Sequence, residues 1–333
     1  MLASYIIRRL LIMIPTLLVT SALIFTVMEL APGNYFETMI AELQAQGEKA
    51  DFARIEYLRH EYGFDRSVIE RYFVWVWNFV QGDFGYSFDA QMPVRDVIGE
   101  RLTLTLLLSF VTILFTWIVA FPIGVYSATH QYSWTDNGLT LLGLLGLAVP
   151  HFLLALLFMY FANIWFGVSI GGLMDPKYFN QPMSWDKFHS LLQHIWIPVI
   201  VIGAGGTGSM IRRVRANLLD ELQKQYVMTA KAKGLPPGRA LLKYPFRMSL
   251  NFFISDIGEV LPTLVSGAEV TAVVLSLQTT GPLLIKALQS KDMYLAGSFL
   301  MMLSILTTVG VLVSDILLAT LDPRIRMQGG ASK

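Results

Sequence analysis

Residues 10–28 carry no charged side chain, and that silence limits the fold more than any motif does. About 20 consecutive apolar residues are what a helix needs to cross the hydrocarbon core of a bilayer. Uncharged runs of this kind recur at 102–129, 138–167, 191–211 and 293–314. A further stretch, 251–277, is interrupted only by Asp256, Glu259 and Glu269. The expectation is an all-α integral membrane protein with six transmembrane helices. Composition agrees: 54% of residues are hydrophobic and 15% charged, where a soluble domain carries about 25% charged residues.

The same composition removes several function classes. A formal charge of +1 lacks the basic footprint of a nucleic-acid binder. The chain has no cysteine, which excludes disulfides and thiolate metal sites. The histidines at 60, 130, 151, 189 and 194 are scattered, and neither a P-loop nor an H-E-x-x-H motif is present. No metal, no bound cofactor and no self-sufficient enzyme is expected.

Lysine and arginine in short loops set the orientation of such a chain. With the N-terminus inside, the inner segments hold Arg8 and Arg9, nine basic residues in 212–250, and Arg324, Arg326 and Lys333. The short outer loops hold only Lys177, Lys187, Lys286 and Lys291. Both termini are therefore expected in the cytoplasm. The first span follows two arginines as a signal peptide does, but its apolar core exceeds the usual length of about 7–15 residues and no small-residue cleavage site follows. It is expected to remain as an anchor.

Four regions result: 1–30, the inner end and first span; 31–101, an outer helical insertion; 102–319, a five-helix core that includes the inner loop 212–250; and 320–333, an inner tail. In the insertion, acids outnumber bases by twelve to seven, and 51–82 reads as helical. Phe73, Trp75, Trp77 and Phe79 suit a helix lying at the membrane interface, where aromatic rings favour a half-wet position. Packing against the ends of the spans explains them equally well. Carbohydrate stacking is the third reading.

The inner loop holds the best helix punctuation of the chain. Asn217 or Asp220 is placed to cap a helix running through 218–233. Lys231 and Lys233 fall in its last turn, where cations complement the carbonyl end. Gly234 stands where a left-handed residue ends a helix, and Pro237 suits the first position of the next one. Small residues at Ala230, Ala232 and Gly234 let another protein approach the backbone. Topology and anionic lipid account for the positive charge, but not for this capped turn, which reads as a docking site.

This loop resembles the E-A-A-x-x-x-G loop of ABC importer permeases, with Met228-Thr229-Ala230 and then Gly234 in the matching places. The form Tyr226-Val227-Met228-Thr229-Ala230 followed by Lys233-Gly234-Leu235 is similar to the dipeptide/oligopeptide branch. GDFGYSF (82–88), PVRDVIGERL (93–102), FPIGVYSA (121–128), Pro150 after a glycine-rich span, and LDPRIR (321–326) keep that family's order, so the resemblance covers essentially the whole chain. It departs at Met228, where the family has Glu, at Pro236-Pro237 and Tyr244-Pro245, at His151, and in LQTTGPLL (277–284).

The resemblance implies a type I ABC importer permease fold in a bacterial inner membrane. It implies a second homologous permease subunit, two ATPase subunits that hold the ATP and Mg, and an extracytoplasmic binding protein as partners, with no nucleotide chemistry in this chain. Thr229, Ala230, Lys231, Ala232, Lys233, Gly234 and Leu235 would couple to the ATPase. Di- or oligopeptides are the implied cargo, with an oligosaccharide or a nickel chelate as alternatives. Intramembrane ionisable residues often line a pathway, and Glu269, with Pro262 and Gly267 beside it and Pro150 and His151 on the third span, is the candidate. Asp256 and Glu259 read as partners of Arg247 or the basic loop. An ion-coupled secondary transporter using Glu269 and Asp256, or a scaffold that merely recruits a soluble protein, are the rivals.

Overall fold

The computed structural model describes residues 2–30, 40, 57, 60, 63, 65–167, 171–179, 181–249 and 269–321. The helices are α1 (Leu2–Leu30), α2 (Val68–Val80), α3 (Val94–Thr129), α4 (Trp134–Ala148), α5 (His151–Phe166), α6 (Trp185–Leu222), α7 (Gln225–Ala232), α8 (Pro237–Lys243), α9 (Glu269–Val274), α10 (Thr280–Gln289) and α11 (Met293–Leu321). The described residues are mostly helical, with one short exception. Strands β1 (Tyr86–Ser87) and β2 (Met92–Pro93) form a short antiparallel hairpin, turned by Gln91 at φ 53°.

Four helices, α1, α3, α6 and α11, are long and apolar enough to cross a membrane, and α4 with α5 makes a fifth candidate if counted as one bent span. The run 138–167, expected as one helix, is broken: α4 and α5 meet at 100°. Pro150 lacks the N–H that would continue α4, and it stands instead as the N-cap of α5 with extended backbone (φ −57°, ψ 135°). Span 251–277 lies mostly outside the described residues, as do Asp256, Glu259, Pro262 and Gly267.

The described chain divides into two compact units. One comprises Leu104–Gln278 with Met1–Ile6 and Val309–Lys333; the other comprises Ile7–Thr103 with Thr279–Thr308. The core of the first joins Leu104 and Leu108 of α3, Ala155 of α5, Leu191, Ile195 and Ile202 of α6, Ala272 of α9 and Leu275 just after it. In the second, Val94 and Ile98 of α3 pack with Leu283 and Ala287 of α10 and with Leu295 and Phe299 of α11.

Within the first unit α4 and α6 approach until their backbones touch. A Cβ on Gly146 would fall 2.9 Å from the Ala204 carbonyl oxygen, and one on Gly208 would overlap the carbonyl of Gly143. Glycine weakens an isolated helix, but between helices in lipid small residues permit close packing. The glycines at 203, 205, 206 and 208 thus serve packing rather than a turn.

Candidate functional site

At 38 residues, α6 is the longest helix among those described. At 1.5 Å per residue it measures about 57 Å, against a hydrocarbon core of about 30 Å. The apolar stretch 191–211 occupies only its middle. Beyond it the helix continues through Arg212, Arg213 and Arg215, and ends at Leu222. Residues 212–222 are good helix formers, so α6 propagates past the apolar zone and carries the next element at its tip.

The next element is a compact turn. Gln223 ends α6 and Lys224, with extended backbone (φ −68°, ψ 147°), redirects the chain into α7. Glu221 ties the junction: it pairs with Lys224 at 3.5 Å and accepts a hydrogen bond from the Tyr226 hydroxyl. Burial, and then the Glu221 carboxylate, push the Tyr226 phenol above its ordinary value, which keeps it a donor. The expected single helix over 218–233 is therefore two. Asn217 and Asp220 lie inside α6 rather than capping a new helix.

The end of α7 is as the glycine implied. Gly234 adopts φ 81°. Its N–H donates to the Lys231 carbonyl at 2.9 Å and the Leu235 N–H donates to the Ala230 carbonyl at 3.2 Å. These two bonds are a Schellman motif, which satisfies carbonyls that a helix end otherwise leaves open. Pro236 then caps and Pro237 opens α8.

Side chains around this turn divide by face. Val227 and Ala230, three apart on α7, are buried, as is Ala240 of α8. Tyr226 and Tyr244 bring their rings to 6.2 Å across the turn. Met228, Thr229, Lys231, Ala232, Lys233 and Gly234 are exposed, and Leu235 is half-buried. Ala230 must accordingly be removed from the surface set: its methyl group faces inward. A Cβ on Gly234 would meet nothing within 4 Å, so the glycine is required by its backbone angle and leaves open space before it.

The expected pathway residues are only partly brought together. Pro150 is exposed at the α4–α5 bend. His151, next to it, packs on α6, where a Cβ on Gly205 would fall 2.5 Å from its Nε2. Glu269 opens α9, and α9 packs with α5. Pro262 and Gly267 lie outside the described residues.

One feature of the first unit escaped the sequence reading. Asp136, in the first turn of α4, is fully buried and pairs with Arg215 of α6 at 2.8 Å. Its N–H is capped by Ser133 Oγ at 3.1 Å. The S-x-x-D spacing of Ser133 and Asp136 ahead of an apolar run is a helix-start signal that could have drawn attention to it.

Comparison with known proteins decides the family. Residues 120–327 match the model described as "Binding-protein-dependent transport system inner membrane component", and residues 1–109 match its N-terminal companion. The chain belongs to the binding-protein-dependent transport system inner membrane component family. This permease is 32% identical to the oligopeptide transport system permease protein AppB of Bacillus subtilis (strain 168), over 97% of this chain and 99% of that protein. It is 30% identical to a putative peptide transport system permease protein of Brucella abortus (strain 2308), over 97% and 99% of the two chains. It is 28% identical to the inner membrane ABC transporter permease protein YejB of Escherichia coli O157:H7, over 98% and 99%. The solved structure of the inward-facing MetNI methionine ABC transporter matches with a TM-score of 0.53 at 16% identity, covering 68% of this chain and 96% of that one. That likeness concerns the fold alone. The permease is thus a multi-pass component of the inner membrane.

Proposed function

We propose that this permease forms half of the translocation pathway of an ATP-driven importer of di- and oligopeptides. The single observation that carries the coupling role is the position of the α7–Gly234 turn: a rigid, Schellman-closed hairpin of helices with an exposed outer face, set at the end of a helix too long for the membrane. Such an element transmits displacement without melting. In this reading an ATPase subunit receives Met228, Lys231, Ala232 and Lys233, and closure of the ATPase pair moves α6 as a lever. Six spans place both termini in the cytoplasm. A second homologous permease completes the pathway, two ATPases hold the ATP and Mg, and a binding protein delivers cargo from outside. Glu269 belongs to the pathway lining, with Pro150 and His151 at the bend of the third span. The peptide cargo rests on the full-length likeness to AppB and to the Brucella permease.

The test is reconstitution. This chain, a second permease and the two ATPases are placed in proteoliposomes, with the binding protein added outside. Peptide uptake that requires ATP and the binding protein is the expected result. Uptake by this chain alone under a proton or sodium gradient would contradict the reading.

A further inference from the structure

Helix α2 has two apolar faces, and the other described residues cover only one. Tyr72, Trp75 and Phe79 form the inner face. Phe25 of α1 lies 5.5 Å from the Tyr72 ring and 5.9 Å from that of Trp75. The Tyr72 hydroxyl bonds Ser21 Oγ at 2.9 Å, and Arg71 pairs with Glu29. Ile69, Phe73, Trp77 and Val80 follow at intervals of four, four and three residues, which is one side of a helix. They are 72%, 65%, 67% and 75% exposed. A helix on a water-facing surface carries charged and polar residues there. The charged residues of the helix are Glu70 and Arg71, both in the first turn, and Arg71 pairs with Glu29.

What covers that face follows from its depth. The candidate span in α1 runs from Ser4 to Leu30, and α2 contacts it from Ser21 to Glu29, its last third, which in the topology proposed above is the outer end of the span. Beside the crossing α1 exposes its own apolar side chains: Leu23, Val27 and Leu30 are 60%, 65% and 76% exposed. Arg66, also exposed, precedes Ile69 by one turn and supplies a cation for lipid phosphate. We infer that α2 is an interfacial helix, seated in the outer leaflet with Ile69, Phe73, Trp77 and Val80 among phospholipid acyl chains and Trp77 near the headgroup boundary.

Because the chain has no cysteine, single cysteines at 69, 73, 77 and 80, and at 72, 75 and 79 as inner-face controls, carry a nitroxide cleanly. The labelled chain, in its complex, is placed in vesicles of phosphatidylethanolamine and phosphatidylglycerol. Accessibility to oxygen, which concentrates in lipid, is compared with that to a water-soluble nickel chelate. The expected result is high oxygen and low nickel accessibility at 69, 73, 77 and 80, and low accessibility to both at the controls. High nickel accessibility at the four positions would show a water-facing helix, and low accessibility to both would show a protein partner; either overturns the inference. If one cysteine prevents assembly, the other three report on the same face.

Discussion

Asp136 and Arg215, 79 positions apart, meet in a two-pronged ion pair: Arg215 Nε donates to Oδ1 and Nη2 to Oδ2, each at 2.8 Å. The pair fastens the first turn of α4 to the stretch of α6 that leads into the α7–Gly234 turn. Asp136 is 0% exposed, whereas the Arg215 side chain is 24% exposed. The carboxylate therefore has no water to fall back on, and the guanidinium has some.

Removing one partner of a buried pair leaves the other uncompensated, at a cost of about 3–5 kcal/mol. Asp136→Asn should come near the lower end, since Arg215 regains solvent. Arg215→Met should cost more, because it strands the buried carboxylate. Thermal unfolding of the purified complex in detergent orders the two. Equal and negligible shifts would mean that the pair holds nothing together.

The contact of α4 with α6 makes a sharper contrast between two glycines. A Cβ on Gly208 would overlap the Gly143 carbonyl, whereas one on Gly143 would lie 3.4 Å from the Gly208 Cα, at ordinary contact. Gly208→Ala should therefore destabilise by about 1–3 kcal/mol, the cost of overpacking, while Gly143→Ala is tolerated. The same thermal measurement checks both, and a reversed order would refute the packing described.

Asp292 gives a prediction with a sign. It is fully buried before α11 and accepts from Ser87 Oγ at 2.7 Å, the Leu295 N–H at 3.1 Å and the Asp89 N–H at 3.2 Å. Burial raises its carboxyl above the ordinary 3.8, and the donors pull it only part of the way back. The folded state thus holds this proton more tightly than the unfolded chain does. Its contribution to stability is fully present at pH values below 3.8 and is lost as pH rises through the folded value. Relative to Asp292→Asn, the parent should lose stability across that window as pH rises. A parent that gains stability relative to the variant as pH rises would reverse the assignment.

The parts legible in sequence were those encoded by backbone chemistry. Gly234 and Pro237 fixed the end of α7 and the start of α8, because few other residues accept those positions. The uncharged runs located α1, α6 and α11 in the same way. Hydropathy failed where charge and helix coincide: α3 begins at Val94, not 102, since Arg95, Asp96 and Glu100 favour helix yet read as loop. The break at Lys224 follows no glycine or proline; Glu221 holds it through Lys224 and Tyr226, and the Tyr226 ring meets Tyr244. At Pro150 the residue was visible and the 100° bend was not, because proline fixes where a helix stops and not the direction the chain then takes. Asp136 and Arg215 are joined only by folding.

Docking of an ATPase on the α7–Gly234 turn makes Gly234→Arg an uncoupling substitution. The left-handed backbone costs a non-glycine residue about 1 kcal/mol, and among the described residues nothing but its chain neighbours lies within 4 Å of the new Cβ. The fold should survive, while a long cationic side chain stands in the open space where a partner would fit. The measurement is ATP-driven uptake per assembled complex, with the hydrolysis rate recorded on the same sample. Hydrolysis should continue while uptake is lost. Uptake at the parent rate by an intact complex would contradict docking at this turn.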